Sequence, residues 1–291
     1  MPRIVYVDGR YLAHGEAALP VEDRATQFAD AVYEVCEVRD GRLIDESGHM
    51  ARLSRSLAEL RIAAPMPNGA LGVVMREVVR RNRVRDGLVY LQVSRGSAPR
   101  NHAFPSPAVR PSLTVTAKPI DPAQSDARAE AGVSVITVPD NRWQRVDIKT
   151  TSLLPNVLAK QTAREAGAFE AWFVDADGRV TEGSSSNAWI VTADGDIVTP
   201  PADTGVLRGV TRTGILALAG KLGRRVTERR FTVAEAQAAR EAFLSSATTI
   251  VMPIVAIDGR PVGNGAPGST TLELRRLYHQ HAERAPLWAR G

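Results

Sequence analysis

Lysine is scarce in this chain of 291 residues. Of its 37 basic residues four are Lys (Lys118, Lys149, Lys160 and Lys221) and the remaining 33 are Arg. Generic positive charge therefore falls to guanidinium groups, which stay protonated and cannot serve as amine nucleophiles. A lysine kept between an aspartate and a run of hydroxyls, as in Asp147-Ile-Lys-Thr-Thr-Ser152, is a candidate Schiff-base former. Taken alone, Lys149 reads equally well as a chance surface lysine. Cysteine is scarcer still. A single Cys36 excludes an internal disulfide and fits a reducing cytoplasm, and its place in an apolar strand predicts a core residue rather than a thiol nucleophile. Aromatic residues make up 5%, too few to build a base-stacking surface. No apolar run approaches the length of a membrane span, and the N-terminus passes directly into a strand and turn, Ile4–Val7 then Asp8-Gly9, with no basic-then-apolar leader. The expectation is a cytoplasmic protein with no membrane partner.

The charge balance is +5 with a pI near 9.7, which raises the question of nucleic acid. Acids and arginines are interleaved along the whole chain, and the densest cluster, Arg76 to Arg85, carries apolar residues at helical spacing. That pattern predicts a solvated helix face and no nucleic-acid partner. The excess positive charge would help gather small anionic substrates.

Strands and helices mix without the regular alternation of a doubly wound sheet, so the fold class expected is α+β in two domains. Asp8-Gly9, Asp40-Gly41, Asp175-Ala-Asp-Gly178 and Asp258-Gly259 each mark a hairpin between short β patterns. Apolar Met50, Leu53, Leu57 and Leu60 predict a helix over about 47–62 with Ser47 as N-cap, and a second over about 70–83. Further helices are expected over about 155–166, from Leu207 to near Leu222, over 233–240 and over about 271–283. Lys118-Pro-Ile-Asp-Pro-Ala-Gln-Ser-Asp126 has two prolines among polar residues and reads as a linker. The domains are then 1–118 and 127–291, with 119–126 between them.

Four further stretches carry chemistry. Val180-Thr-Glu-Gly-Ser-Ser-Ser-Asn187 presents one carboxylate, Glu182, and three hydroxyls at a strand end, or is a Ser-rich β-turn. It lacks the second glycine of a nucleophile elbow. Leu207-Arg-Gly-Val-Thr-Arg212 opens a helix whose first N–H groups and positive dipole end suit a phosphate, and is equally an ordinary Gly-containing N-terminus. Ser245-Ser-Ala-Thr-Thr249 adds hydroxyls after a strand, and Arg52 is a phosphate fork or a surface arginine. Arg100 and His102 stand two apart and, in an extended stretch, point the same way, as a carboxylate clamp needs. A polar loop with no ligand is the other reading.

Together these stretches resemble the fold-type IV pyridoxal phosphate enzymes, most closely the D-amino-acid aminotransferases. The resemblance runs over nearly the whole chain through Asp23-Arg-Ala-Thr-Gln-Phe-Ala-Asp-Ala-Val-Tyr-Glu34, His49-Met-Ala-Arg-Leu53, Arg95-Gly-Ser-Ala-Pro-Arg-Asn-His102, Asp147-Ile-Lys149, Thr181-Glu-Gly-Ser-Ser-Ser-Asn187 and Gly209-Val-Thr-Arg212. It implies a small N-terminal domain, a larger C-terminal domain with a β-barrel-like core, a site between them and a homodimer. Lys149 would carry pyridoxal 5'-phosphate as a Schiff base, and Glu182 would bond the pyridine nitrogen. Arg52, Gly209, the N–H groups of Val210 and Thr211, Ser246 and Ala247 would surround the phosphate, with Leu207 against the ring face. Tyr33 and Ser185 would line the substrate side, and Arg100 with His102 would take the substrate carboxylate. No metal is expected. Ala247 departs from the hydroxyl residue usual in the family, so that one phosphate hydrogen bond, about 1 kcal/mol of cofactor retention, is either missing or taken over by Thr248. The implied activity moves an amino group from a D-amino acid to a 2-oxo acid. Branched-chain L-amino-acid transamination, R-selective amine transamination and aminodeoxychorismate lysis are the alternatives on the same fold. A basic nucleic-acid-binding protein without catalysis is the alternative of another class.

Overall fold

The structure, a computed structural model, describes residues 3–286. It is mixed α and β and divides into two compact units. Within the described residues the first contains 3–121, the short segment 148–152 and residues from Glu283. The second contains 122–147 and 153–282.

The first unit is built on β1 (Ile4–Val7), β2 (Arg10–Ala13), β3 (Ala31–Arg39), β4 (Arg42–Leu43), β5 (Gly87–Ser94) and β6 (Ser112–Pro119). Its helices are α1 (Arg24–Phe28), α2 (Glu46–Glu59) and α3 (Asn68–Arg81). The strands lie in the order β2-β1-β6-β5-β3-β4, every neighbour antiparallel. The Asp-Gly pairs do what their chemistry predicts. Asp8 and Gly9 have φ of 44° and 96°, and Asp40 and Gly41 have 51° and 73°, the left-handed pair that matches strand twist in a tight hairpin. One sheet face carries Val32, Cys36, Val38, Val89, Leu91, Val93 and Val115, buried against Met50, Leu53 and Leu57 of α2 and Leu71, Met75 and Val78 of α3. Each such side chain contributes about 1.5–3 kcal/mol on burial.

Two chain segments distant in sequence complete this sheet. β4 pairs only with Val38 and Arg39, leaving the first half of β3 uncovered. There Tyr33 N–H donates to Lys149 O at 3.0 Å and Thr151 N–H to Ala31 O at 3.1 Å. Ile148 joins the core beside them. At the β4 end, Asp45 N–H donates to Glu283 O at 2.9 Å and Ala285 N–H to Leu43 O at 2.9 Å, so residues 283–285 strap the sheet edge. The α2 N-cap is Asp45, in a left-handed conformation, rather than Ser47, whose hydroxyl bonds Glu283 instead.

The second unit contains α4 (Pro122–Ala131), β7 (Val133–Pro139), α5 (Leu154–Glu165), β8 (Glu170–Val174), β9 (Arg179–Gly183), β10 (Asn187–Val191), β11 (Ile197–Thr199) and α6 (Val210–Lys221). It continues with β12 (Val226–Glu228), β13 (Phe231–Thr232), α7 (Val233–Gln237), β14 (Glu241–Ser246), β15 (Ile250–Ile257), β16 (Arg260–Pro261) and α8 (Ser269–His281). Its sheet runs β12-β11-β10-β14-β15-β7-β8-β9-β13, with β16 beside β15. The terminal strands β12 and β13 are separated by Arg229 and Arg230 alone, so the sheet must curl until its two ends meet, the barrel-like core expected. Val180, Ile190, Val198, Phe231, Leu244 and Met252 fill one face. Trp189, Phe243 and Val251 on the other pack on Ile215 and Leu218 of α6 and Leu274 and Tyr278 of α8.

Within 119–126, expected as a linker, Pro119 ends β6, Ile120 and Asp121 connect, and α4 opens at Pro122. Pro122 is the first helical residue, where its missing N–H costs nothing. Among the described residues no helix is long and apolar enough to cross a membrane.

Candidate active site

In the first unit, pairing with β3 fixes the backbone at Lys149 and the two residues after it, and its N–H also donates to Ser56 Oγ at 3.3 Å. The side chain turns onto Tyr33, with Nζ 4.2 Å from the ring centre. Tyr33 stacks on Tyr90 at 5.6 Å, and Tyr90 Oη donates to Gln92 Oε1 at 2.7 Å. Burial, with the nearby charge of Tyr33, pushes the Tyr90 hydroxyl up to about 12.

On the opposite face of β3, alternation puts Glu34 into the core, fully buried. Its carboxylate accepts from Arg52 Nε and Nη2 at 2.7 Å each, and His49 Nδ1 lies 2.8 Å away. Burial alone would raise the Glu34 carboxyl, but the charge and hydrogen bonds of Arg52, with those of His49, hold it at about 2. Arg52, expected at the phosphate, is thus held in a bidentate pair with Glu34.

Arg100 and His102 are exposed and share one neighbour, Phe28. The Arg100 guanidinium carbon lies 5.0 Å from its ring centre, and the His102 ring is tilted at 5.2 Å. Their stretch is loop rather than strand, and Phe28, not period-two alternation, brings the two side chains to one place.

In the second unit Glu182, at the end of β9, is buried and firmly held. One oxygen forms an ion pair with Arg142. The other accepts from Leu207 N–H at 3.1 Å and Asn187 Nδ2 at 3.2 Å. Arg142 in turn forks onto Asp140, through Nε at 2.9 Å and Nη2 at 2.7 Å, and lies over the Phe173 ring. Burial disfavours the Arg142 charge, yet its hydrogen bond to Asp140 and the charge of Glu182 leave its pKa raised. The amide of Asn187 also donates to Leu207 O at 2.9 Å, so one side chain sets both Glu182 and the loop carrying Leu207.

Helix α6 starts at Val210 with Gly209 as N-cap and no side-chain cap, which leaves the first N–H groups, those of Val210 and Thr211 among them, without partners inside the helix. A Cβ on Gly209 would collide with Asn187 Oδ1, so glycine is required by close packing. The three-serine turn sits on a buried carboxylate, Glu170. Ser185 Oγ donates to it at 2.7 Å, Ser186 Oγ at 3.3 Å, and Ser184 Oγ also bonds it. Ser246 Oγ is used within its own turn, accepting from Thr248 N–H at 3.3 Å and Thr249 N–H at 3.2 Å, with Ala247 between them.

The structure thus brings Lys149 to Tyr33, Arg100 to His102, and Glu182 to Leu207 beside Gly209. Sequence reasoning missed Glu34, Arg142, Asn187 and Glu170. Glu34 alone left a trace, as a carboxylate on the apolar side of an alternating strand. The others act across 5 to 40 residues of sequence, and no local pattern marks them.

The pattern of the family described as Amino-transferase class IV matches residues 31–257. A D-alanine aminotransferase of Bacillus licheniformis is 42% identical over 271 residues, covering 93% of this chain and 94% of that protein. One from Staphylococcus haemolyticus is 37% identical, covering 96% and 98%. Among solved structures, the branched-chain aminotransferase of the thermophilic archaeon Thermoproteus uzoniensis with norvaline superposes with a TM-score of 0.85. It is 26% identical, and the match covers 97% of this chain and 98% of that one. With most of its length inside the family pattern and a relative of this likeness along nearly all of it, the chain belongs to the class IV aminotransferases.

Proposed function

We propose that this protein transaminates D-amino acids such as D-alanine, with pyridoxal 5'-phosphate as cofactor and a 2-oxo acid such as pyruvate or 2-oxoglutarate as acceptor. The observation that carries the substrate class is the likeness to D-alanine aminotransferases, higher in identity than that to the branched-chain enzyme of similar fold. The residues present fit the cofactor. The α6 N-terminus has no side chain of its own to cap it, Gly209 lets Asn187 pack close there, and Glu182 is an acceptor fixed in place. When bound, pyridoxal phosphate supplies the electron sink for the charge left on the substrate Cα.

The chain's residues then have separate tasks. Lys149 would hold the cofactor aldehyde, and its free neutral amine would serve as the base at the substrate Cα. Glu182 would accept from the ring N–H, with Arg142 and Asn187 keeping the carboxylate from turning away. The Val210 and Thr211 N–H groups receive the phosphate with Arg52 and Ser246, while Ala247 offers only its backbone. Leu207 covers a ring face, and Tyr33 and Ser185 bound the substrate side. Arg100 and His102 grip the carboxylate, and this decides which Cα substituent faces Lys149. The division into domains 1–118 and 127–291 belongs to the same reading, the last residues, 287–291, lying outside those described. So do a cytoplasmic location and a homodimer. Leu154, Val157 and Leu158, 69%, 59% and 57% exposed along one stripe of α5, are the apolar face such a dimer would cover.

The test is a half-reaction on the purified yellow protein. D-alanine is expected to convert the cofactor spectrum to that of the amine form, and borohydride reduction beforehand to fix the cofactor on Lys149. Conversion by L-leucine with none by D-alanine, or trapping on Lys118, Lys160 or Lys221, overturns the reading.

A further inference from the structure

Residues 98–111 run as loop between the Ser97 bridge and β6, yet the part that carries Arg100 and His102 is tied down from beneath. Arg24, 3% exposed on α1, donates through Nη1 to Asn101 O at 2.6 Å and Ala103 O at 3.3 Å, and through Nη2 to His102 O at 3.4 Å. Three consecutive backbone carbonyls thus converge on one buried guanidinium. Its Nε is held by Asp30 at 2.8 Å. The same carboxylate takes Arg95 through Nε at 2.7 Å and Nη2 at 2.9 Å. Phe28, one helical turn after Arg24, has the Arg24 guanidinium carbon at 4.7 Å from its ring centre and both clamp side chains against it.

We propose that Arg24 is a positioning residue for substrate-carboxylate recognition. It fixes the backbone of 101–103, with Phe28 as the platform that orients Arg100 and His102. The inference rests on the reading of Arg100 and His102 as the clamp. A buried charge is retained only where it is paired and hydrogen-bonded, and Arg24 uses its pairing with Asp30 to stay buried and its remaining donors to order an exposed loop. A loop ordered before substrate arrives does not charge that ordering against binding, so the effect falls on substrate affinity rather than on proton transfer at Lys149.

The experiment measures KM and kcat for D-alanine in Arg24→Gln, Phe28→Leu and Arg100→Ala, with amide hydrogen exchange across residues 100–104. Both positioning variants are expected to raise KM about tenfold with kcat changed far less, the signature of lost binding common to ground and transition states. They are also expected to speed exchange in the loop while leaving β3 and β5 protected. If Arg24→Gln fails to fold, Phe28→Leu alone decides. KM unchanged in the folded variants, or kcat falling with KM fixed, overturns the proposal while Arg100→Ala still raises KM. If Arg100→Ala also leaves KM unchanged, the clamp reading has failed and the inference falls with it.

Discussion

Glu34 shows how a single residue in an otherwise apolar strand is made tolerable. It is fully buried, and its partners Arg52 and His49 come from one face of α2, three positions apart. Its carboxyl is held at about 2, against an ordinary value of 4.5. A carboxyl depressed on folding contributes stability that is fully present above the unfolded value and lost as pH falls toward the folded one. Acid titration between about pH 4.5 and 2 should therefore destabilise the protein, and Glu34→Gln should flatten that slope. At neutral pH, Arg52→Met leaves the carboxylate buried without its main partner and should cost about 3–5 kcal/mol, read from the urea midpoint. An equal acid slope in wild type and Glu34→Gln would remove the group from the account. Lys149 and Glu182 were singled out in the sequence, through lysine scarcity and motif order. Arg142 was not, because its partnership with Glu182 spans 40 residues and exists only once β9 is laid down.

At the scale of elements, legibility followed the strength of the local signal. At Asp8-Gly9, Asp40-Gly41 and Asp258-Gly259 both residues take the left-handed conformation, so those three hairpins were readable from two letters each. The α2 and α3 stripes were readable from three- and four-residue spacing, within two residues at their starts. The α4 helix was missed because Pro119 and Pro122 look like breakers, although proline at the first helical position is compatible with a helix. The α6 N-terminus was read from a glycine and a hydroxyl, while the reason for the glycine, contact with Asn187, needed the fold. Gly209→Ala forces a Cβ onto that amide and should cost about 1–3 kcal/mol. Because Asn187 also holds Glu182, the same variant should retain pyridoxal phosphate less well, as measured by titrating the apoprotein. Unchanged retention would separate Gly209 from cofactor holding.

For the whole molecule, the apolar stripe on α5 bears on assembly. Leu158→Glu places a charge among Leu154 and Val157 and should shift the protein toward monomer in sedimentation at micromolar concentration. A variant that sediments like wild type would take this stripe out of the proposed homodimer. The threading of the two units was not legible, since nothing local tells that residues 148–152 and 283–286 return to the first unit. That threading has a consequence for synthesis. As the first 121 residues leave the ribosome, the open half of β3 and the outer edge of β4 both lack their final neighbours, and Lys149 has not yet been made. The N-terminal sheet can close one edge only after some thirty more residues have emerged, and the other only once Ala285 has followed. A nascent chain stalled anywhere short of Glu283 therefore exposes unpaired backbone, and nicked or truncated forms should be preferred clients of chaperones.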